Sequence, residues 1–383
     1  MQRQRLTLLI PFCAVIILTQ DPITAQTSSP ELRGVWLTNV DSRVLESRAG
    51  IAAAMQFLAD HHFNIVYPVV WNGGVTLYRS ALMDSLFGMP IDPRHGSRDP
   101  LAEVIEEAHA RGLAVVPWFE FGFAASYKQD GGHILRTRPA WAARDRDGRL
   151  LSKNGFEWMN GYHPDVQGFL AGLISEVVRG YDIDGIQGDD RLPAQPVESG
   201  YDAWSDSLFR AQHGGTAPPR EARHPGWMRW RADILNGFAH RIYQETKICK
   251  PEAWVSSAPN IYPWCYEEYL QDWPGWIRSG AVEQLVPQVY RYDLGKYRAT
   301  LDGVKAEMAR LPQPAAGVYP GILIKLGDYL IDTDYLLGAI HYNRASGFNG
   351  EVLFFYEGLR MQDDKLATAL LKGPYRLVAP LPR

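Results

Sequence analysis

The chain is predicted to be an α/β protein of the (β/α)8 TIM-barrel class, a single domain with long loops after its strands. Eight apolar runs of strand length alternate with segments of helical periodicity between residues 31 and 357. Some of these runs, such as residues 64–71, are apolar throughout, which is typical of a parallel strand that is covered on both faces. Most of the runs end in a carboxylate, an amide or an aromatic side chain, and barrels of this class build their active sites at these strand ends.

The predicted strands and helices alternate along the chain. Asp99 and Pro100 predict the start of one helix and Gly112 predicts its end, because these residue types favour helix caps and first turns. The predicted strands cover residues 31–38, 64–71, 113–120, 181–190, 254–260, 282–290, 316–319 and 352–357. The predicted helices cover residues 51–62, 100–111, 164–180, 227–247, 266–279 with a break at Pro274, 297–311 and 332–347. The long segments 72–98, 121–162 and 191–224 are predicted to be loops.

The N-terminal residues 1–26 are predicted to be a signal peptide. Arg3 and Arg5 precede an apolar stretch, residues 6–18, that is too short to span a bilayer comfortably. A short lead over residues 27–30, the barrel over 31–360 and a C-terminal helix and tail over 361–383 complete the predicted organisation. We therefore expect an exported protein, periplasmic or extracellular, with no transmembrane anchor after signal cleavage.

The composition is that of a globular protein with a substantial core, at 46% hydrophobic and 21% charged residues. A net charge of −4 gives no reason to expect nucleic acid or an anionic membrane surface as partner. Twelve Trp and nineteen Tyr exceed what a core needs, and aromatic faces commonly hold sugar rings. Cys249 and Cys265 remain after signal cleavage and could pair in an exported protein, which the sequence leaves open together with the oligomeric state.

Residues 181–193 are the stretch around which the rest of the chain is organised. Because side chains alternate along a strand, Ile186 is predicted to pack against a helix while Gln187 and Asp189 point into the barrel. The same alternation predicts that Asp190 points away from Asp189. A single Asp here would be explained by a turn or a helix cap, but two consecutive carboxylates after a polar inward residue favour a catalytic site.

Polar and aromatic residues close every predicted strand. Together they describe a cup that suits a carbohydrate, because aromatic faces cover sugar rings and paired carboxylates supply acid and base. These strand-end residues are Trp36, Asn39, Trp71, Asn72, Trp118, Glu120, Asp189, Asp190, Ser257, Asn260, Gln288, Tyr290, Tyr319, Tyr356 and Glu357. Carboxylates could also hold a hard cation, but no His or Cys cluster has metal-ligand spacing, and we expect no metal and no cofactor.

Glu120 and Asp189 are predicted to be the working pair of carboxyl groups, because they end neighbouring strands. Their mutual repulsion would raise one pKa, as an acid at neutral pH requires. Separations of roughly 5 to 5.5 Å would favour a retaining mechanism and roughly 6.5 to 9.5 Å an inverting one. Glu357 is the alternative partner, unless it pairs with Arg33 or Arg360, and Asp190 either binds a sugar hydroxyl or serves as a cap.

Six segments of the chain resemble the glycosyl hydrolase-like 10 family, a group of mostly exported bacterial barrels related to glycosidases. They are residues 31–38, 116–122, 160–164, 184–190, 269–273 and 286–290. The chain departs from many members at Gly188, where they carry a large residue, at Arg191, where they carry an aromatic residue or His, and at Gly161, where they carry Pro. Glu120 likewise stands where many members carry Asn. The resemblance adds Asn160 and His163 to the candidate substrate-binding residues Trp36, Asn39, Trp71, Trp118, Gln187, Asn260, Gln288, Tyr290 and Tyr356.

The resemblance implies a glycoside hydrolase, and some members of the family act on peptidoglycan glycan strands. We therefore expect cleavage of a bacterial cell-wall glycan or another amino-sugar polysaccharide by carboxylate acid/base catalysis. The alternatives are a non-catalytic carbohydrate-binding barrel and a carboxylate-metal-dependent polysaccharide-modifying enzyme. The strand also resembles the Asp-Gly-x-Asp-x-Asp-x-Glu strand of chitinase-like barrels, with Asp189 at its last Asp and Arg191 in place of the acid Glu.

Overall fold

The computed structural model describes residues 29–312 and 316–382. The predicted signal peptide lies outside these residues. Eight parallel strands, labelled β1 to β8, form the centre of the described part, and two of them are interrupted. They are β1 Leu32–Leu37, β2 Ile65–Pro68, β3 Ala114–Val115 with Trp118–Phe119, β4 Gly185–Gly188, β5 Trp254–Ser257, β6 Gln284–Leu285, β7 Gly317–Val318 with Gly321–Leu323, and β8 Gly350–Phe354.

The strands follow one another in a closed ring, which confirms the predicted barrel class. Each strand pairs in parallel with the next, and β8 pairs with β1. The interrupted strands each turn from one neighbour to the other: the first part of β3 pairs with β2 and its second part with β4, on either side of Pro117. In the same way, β7 pairs with β6 before Pro320 and with β8 after it. A proline has no N–H to donate to a strand ladder, which explains why both strands break there.

Helices follow the strands and cover the outside of the ring. The helix over Pro100–His109 starts as predicted, with the Asp99 side chain accepting from Ala102 N, and the predicted helix at Pro164–Gly180 has those bounds. The helices are α1 Arg48–Asp60, α2 Pro100–His109, α3 Pro164–Gly180, α4 Pro225–Cys249, α5 Trp264–Tyr269, α6 Trp273–Arg278, α7 Leu294–Met308, α8 Thr333–Ala345 and α9 Tyr356–Lys372, the last interrupted at residues 361–364.

The helical segment predicted over residues 266–279 is broken earlier than Pro274. The chain leaves α5 at Leu270, whose φ of 53° is left-handed. Asp272 then caps α6 by accepting from Gly275 N, and Pro274 lies in the first turn of that helix. Proline is tolerated there because the first N–H groups of a helix have no partner within it.

The three segments predicted to be loops carry structure of their own. Their local hydrogen bonding forms short elements that have no long apolar period, so periodicity did not reveal them. After β2 come the hairpin Trp71–Asn72 with Val75–Thr76, the helix Ala81–Phe87 and the 3-10 turn Pro93–His95. After β3 come three antiparallel strands, Ala124–Tyr127, Ser152–Lys153 and Phe156–Trp158, with the helix Gly132–Thr137 and the 3-10 turn Pro139–Trp141. After β4 comes the helix Ala203–Gln212. Outside these three segments, the hairpin Lys325–Leu326 with Tyr329–Leu330 follows β7.

The core has one part inside the ring and one between the ring and the helices. Ile186 of β4 is buried against the helical layer, as predicted. Inside the ring, the buried side chain of Gln187 accepts from Trp36 Nε1 at 2.7 Å and donates to Ser256 Oγ at 3.0 Å. Because a buried polar group is costly unless it is hydrogen-bonded, this network fixes the floor below the strand ends. Within the described residues, no helix has the length and apolar character needed to cross a membrane.

Candidate active site

A tight turn follows β4 and carries Asp189, Asp190 and Arg191. The turn requires glycine at position 188, because a Cβ there would lie 2.5 Å from Leu192 O. The loop after β3 packs directly on the same turn through Gly122, whose φ is +51° and whose Cβ would lie 2.0 Å from Arg191 O. Two of the glycines in this region are therefore explained by close backbone approach, which brings the ends of β3 and β4 together.

Arg191 lies among three carboxylates. Its Nη2 is 3.1 Å from Asp189 Oδ2 and 3.6 Å from Glu120 Oε1, and its Nη1 is 2.9 Å from Asp190 Oδ1. Its Nε donates to the backbone oxygen of Glu120 at 3.1 Å, and the guanidinium packs 4.6 Å from the centre of the Phe156 ring. The predicted pair, Glu120 and Asp189, therefore meets at a single nitrogen atom at the C-terminal ends of β3 and β4.

Asp189 is held by contacts from two further strands and loops. Its Oδ1 accepts from Gln288 Nε2 at 2.8 Å, and its backbone oxygen accepts from Gln271 Nε2 at 3.0 Å. Gln271 is fully buried and also accepts from Asn260 N at 3.1 Å. The carboxyl group of Asp189 has donors on both oxygens, and only 4% of its side-chain surface is exposed.

Asp190 belongs to the same cluster, and the prediction that it points away from Asp189 is wrong. The regular strand ends at Gly188, so the alternation of side chains does not extend to residue 190. Asp190 accepts from Asn260 Nδ2 at 3.0 Å in addition to its contact with Arg191. Its side chain is 22% exposed, which leaves part of the cluster open to solvent.

Glu120 is held by two linked asparagine side chains, which follow the neighbouring strands β1 and β2. Asn72 Nδ2 donates to Glu120 Oε2 at 2.9 Å and to Asn39 Oδ1 at 2.8 Å. Two residues predicted from the strand ends are thereby brought to the carboxyl group. The Glu120 side chain is 16% exposed.

Two carboxyl groups of this cluster, those of Glu120 and Asp189, have raised pKa values. Burial, opposed by Arg191 and assisted by the Asp190 carboxylate, raises the pKa of Glu120 to about 7. Burial and the neighbouring Asp190 carboxylate raise the pKa of Asp189 well above its ordinary range, again against Arg191. Fully ionised, three carboxylates and one guanidinium would leave excess negative charge in a buried place, so the cluster retains protons near neutral pH.

Aromatic rings form the floor below the cluster. Trp36 lies 6.1 Å from Trp118 and 5.8 Å from Phe354, measured between ring centres, and Tyr290 stacks on Phe354 at 5.2 Å. Burial raises the pKa of the Tyr290 hydroxyl, and the carboxylates of Asp189, Asp190 and Glu120 raise it further. The predicted residues Trp36, Trp118, Gln187, Gln288 and Tyr290 therefore lie around or beneath the carboxylates.

Five other predicted site residues lie elsewhere. Trp71 is fully buried and donates from Nε1 to Gly122 O at 3.0 Å, because the chain has left β2 for a hairpin and the ring packs against Phe121 and Phe169. Asn160 is buried, donates to Ser205 Oγ and accepts from Tyr162 N, so it braces the long loops.

The remaining three are helix residues. His163 caps α3, its ring nitrogen accepting from Asp165 N at 3.1 Å. Tyr356 is buried in the first turn of α9 against the Phe57 ring. Glu357 follows it in that helix and accepts from Ser42 Oγ at 2.5 Å and Arg43 N at 3.2 Å. The two arginines predicted as partners of Glu357 form other ion pairs, Arg33 with Glu31 and Arg360 with Asp364.

Sequence reasoning missed the roles of Arg191, Gln271 and Phe156 in the site. Arg191 directly follows the two predicted carboxylates, and that adjacency was a usable signal for an ion pair. Gln271 lies within residues 269–273, one of the segments that carry the family resemblance. Phe156 comes from a strand within a segment predicted to be a loop, and nothing in its local pattern indicates a contact with Arg191.

Two further findings concern possible metal ligands and the cysteine thiols. Among residues 29–312 and 316–382, no group of three or more His, Cys, Asp or Glu side chains could hold a metal ion. Cys249 is an exposed free thiol, whereas Cys265 is buried, free, and 3.2 Å from Gln271 O.

Exposed aromatic side chains stand on the loops at the C-terminal ends of the strands. Trp264, which is 48% exposed, lies 5.6 Å from the Tyr269 ring, and the Asp190 carboxylate is among the groups that raise the pKa of Tyr269 to about 12, after burial. Tyr292, 62% exposed, follows β6 and meets the ring of Tyr329 at 4.9 Å. The Trp264 ring therefore faces solvent on the side of the cluster where Asp190 lies.

The sequence and the fold were both compared with known proteins, and both are similar to those of glycoside hydrolases. Residues 31–333 match the family described as Glycosyl hydrolase-like 10. The chain is 26% identical over 343 residues to Glycosyl hydrolase DigH of Escherichia coli O6:H1, an alignment that covers 76% of this chain and 74% of that protein. It is 25% identical to Glycosyl hydrolase YngK of Bacillus subtilis, covering 72% of this chain and 57% of that protein. Its fold is similar to the PgaB (BpsB) glycoside hydrolase domain from Bordetella bronchiseptica, with a TM-score of 0.62, 12% identity, and coverage of 89% of this chain and 99% of that one.

Proposed function

The chain belongs to the glycosyl hydrolase-like 10 family, and on that basis we propose that it is a glycoside hydrolase of an amino-sugar polysaccharide, such as a bacterial cell-wall glycan. The observation that carries the proposal is that Glu120 and Asp189, from neighbouring strands, contact the same nitrogen of Arg191. Glycoside hydrolysis requires two carboxyl groups on either side of the scissile bond. The predicted signal peptide and the solvent-facing rings at the strand ends support an exported enzyme that acts on a polymer.

Glu120 is assigned as the acid. With a pKa of about 7, it is partly protonated at neutral pH, and the protonated form can give its proton to the leaving glycosidic oxygen. Burial raises the pKa of Asp189, and Arg191 opposes that rise. Arg191 and Gln288 donate to its two oxygens, and these are the contacts that favour the ionised form, which the reaction needs. Asp189 then acts on the anomeric carbon, either as nucleophile or by activating a water molecule. Water supplies the new hydroxyl group, and the cluster recovers the proton that Glu120 gave up.

Asp190 and Asn260 are assigned to substrate hydroxyl groups at the open side of the cluster. Their mutual hydrogen bond of 3.0 Å leaves the second Asp190 oxygen to Arg191. Both residues hold polar atoms beside the exposed part of the site, where a sugar ring would arrive.

A binding-only barrel is the second candidate function. The observation that favours it is the same Arg191, because its three ion pairs engage carboxylates that catalysis would need free. Such a protein would retain a glycan without cleaving it. One experiment separates the two candidates.

The mature protein is incubated with purified sacculi, denuded glycan strands, chitin oligomers and plant glucans, and the products are analysed by mass spectrometry. We expect new reducing ends from an amino-sugar glycan and none from the glucans. Retention of one glycan without products would establish the binding-only function. Absence of both cleavage and retention across all four substrates would contradict the proposal.

A further inference from the structure

An exposed apolar patch lies on the rim of the barrel mouth, on the loops that follow β6, β7 and β1. This rim patch consists of Val40, Tyr292, Leu326 and Tyr329. Val40 is 58% exposed, Tyr292 62% and Leu326 52%. Together with Ile248, these three are the most exposed large apolar side chains among residues 29–312 and 316–382. Exposed apolar side chains that are scattered singly are normal on a surface, whereas neighbouring ones mark a binding surface.

Contacts between the three loops hold the rim patch together. Tyr292, which follows β6, meets the ring of Tyr329 edge-on, with 4.9 Å between the ring centres. Tyr329 pairs with Leu326 across the hairpin that follows β7. In the same hairpin, Lys325 forms an ion pair with Asp41 of the loop that follows β1. The apolar side chains therefore lie on neighbouring loops that contact one another.

Both ends of the rim patch adjoin the candidate active site. Val40 directly follows Asn39, whose side chain is linked through one amide group to Glu120. At the other end, Tyr292 comes two residues after Tyr290, which lies in the aromatic floor below the carboxylates. Two residues span at most about 7 Å. A ligand that extends from the floor toward β6 would therefore reach the patch.

The hairpin of the rim patch stands across the mouth from the carboxylates. Glu120 and Asp189 follow β3 and β4, whereas the hairpin follows β7. In a closed ring of eight strands, β7 is the fourth strand from β3 in either direction, so their ends face each other. A substrate that contacts both the carboxylates and the hairpin has to cross the mouth, which requires a chain of several units.

The chemistry of the rim patch fits a neutral sugar chain. Aromatic rings and aliphatic side chains cover the apolar faces of sugar rings. The hydroxyl groups of Tyr292 and Tyr329 form no hydrogen bond with another described residue, so they can bond to sugar hydroxyl groups. The ion pair of Asp41 with Lys325 adds no net charge to the patch.

We propose that the rim patch binds sugar units of the substrate that lie beyond the cleavage point, so that a long glycan chain crosses the barrel mouth. The inference rests on the proposed glycosidase function and deepens it, because it makes the substrate a chain of several sugar units. None of the four residues was a candidate from the sequence.

Binding is measured apart from cleavage, in the Asp189→Asn protein. Denuded glycan strands and β-1,4-linked N-acetylglucosamine oligomers of two to six units are titrated calorimetrically into this parent and into the same protein with Tyr292→Ser and Leu326→Ser added. We expect the added changes to weaken binding of the longest chains by about tenfold, roughly the contribution of one aromatic contact, and to leave the two-unit oligomer unaffected.

Ile248→Ser in the same background is the matched control. Ile248 is an apolar side chain that is 81% exposed, but it lies at the end of α4, shortly before β5 begins, and therefore at the other end of the barrel. It should leave every affinity unchanged.

Equal affinities of the parent and of the protein with both rim changes, for every chain, would overturn the rim patch as a sugar-binding surface. Sedimentation velocity identifies the other possible occupant, a second copy of the chain. A parent dimer that the two changes dissociate, with no change in glycan affinity, would assign the patch to a subunit interface and also overturn the inference. In both cases, cleavage of a glycan by the wild-type protein leaves the proposed function standing. If the wild-type protein neither binds nor cleaves any of these glycans, both proposals fall.

Discussion

Arg191 Nη2 lies 3.1 Å from Asp189 Oδ2, so a cation from the same turn contacts the carboxylate that the proposed mechanism requires. The guanidinium is held in place by Phe156 and by the Glu120 backbone oxygen as well as by its ion pairs. Its charge opposes the effect of burial on the carboxyl groups around it. Arg191 therefore lowers the pH range in which the carboxyl groups of Glu120 and Asp189 lose their protons.

Replacing Arg191 by Gln should move the pH dependence of activity to higher pH. Arg191 lowers the pKa values of Glu120 and Asp189, so both limbs of the pH profile should shift upward, by about one pH unit or more. Profiles of kcat/KM between pH 4 and pH 10 measure this. Arg191→Lys keeps the charge and should shift the profile less.

Arg149→Gln is the control for this change, because Arg149 is 75% exposed and its ion pair is with Asp147, away from the cluster. It should leave the profile in place. A variant at Arg191 that loses rate with no movement of either limb would show that the residue is merely structural.

Replacing Glu120 by Gln should lower kcat by about 10²- to 10⁴-fold, because the variant cannot donate a proton to the leaving oxygen. In the wild-type protein the acid is lost as pH rises through about 7, so activity should fall above that pH. Glu351 offers a matched control, since burial raises its pKa to about 7 as well, but its partners are Asn343 and Tyr375. Glu351→Gln should keep both kcat and its pH dependence.

Glu351 should instead appear in the pH dependence of stability. Its pKa in the folded protein is raised, so its contribution to stability is complete below the unfolded value and is lost as pH rises through about 7. The free energy of unfolding of the wild-type protein should fall between pH 5 and pH 8, with up to about 3 kcal/mol from this group. Urea unfolding of Glu351→Gln should show a smaller fall, and an unchanged fall would contradict the assignment.

Gln271→Leu should reduce both stability and turnover. The change leaves the Asp189 carbonyl group and the Asn260 N–H without their partner, at about 1 to 3 kcal/mol for each group that stays buried. The displaced Asp189 should lower kcat as well as the melting temperature. Gln195→Leu removes another fully buried amide, one that donates to Met159 O, and should lower the melting temperature alone. Equal effects of the two variants on kcat would count against Gln271 as a support of Asp189.

Trp264→Ala should weaken the use of long substrates. The ring is 48% exposed beside Tyr269, and we expect it to cover a sugar unit outside the cleavage point. KM should rise for a glycan polymer and stay unchanged for a short oligomer. Trp204→Ala is the control, since that ring is 40% exposed and packs on His163. A uniform rise in KM for polymer and oligomer would contradict this role.

Much of the fold could be predicted because it depends on local patterns. Capping residues and periodicity correctly predicted α2 and α3. The order of the strands correctly predicted that Glu120 lies near Asp189. Alternation along β4 correctly placed Gln187 inside the ring and Ile186 outside it. It failed at Asp190 because the strand had already ended at Gly188.

The rest depends on contacts between segments that are distant in the sequence. Trp71 belongs to a hairpin and His163 to a helix cap, so the position of a residue near a strand end was not sufficient to place it in the site. Gln271 joins two loops by a buried amide, and Phe156 comes from a strand within a segment predicted to be a loop. Neither position has a periodic signal.

The measurement that tests the central claim most directly is the activity of Asp189→Asn on the glycan that the wild-type protein cleaves. Asparagine keeps the size of the side chain and an oxygen that can accept from Gln288 or Arg191, so the thermal transition should stay nearly unchanged. Product formation followed by mass spectrometry should be abolished, because the carboxylate that acts on the anomeric carbon is gone. A folded Asp189→Asn protein with full activity would contradict the account.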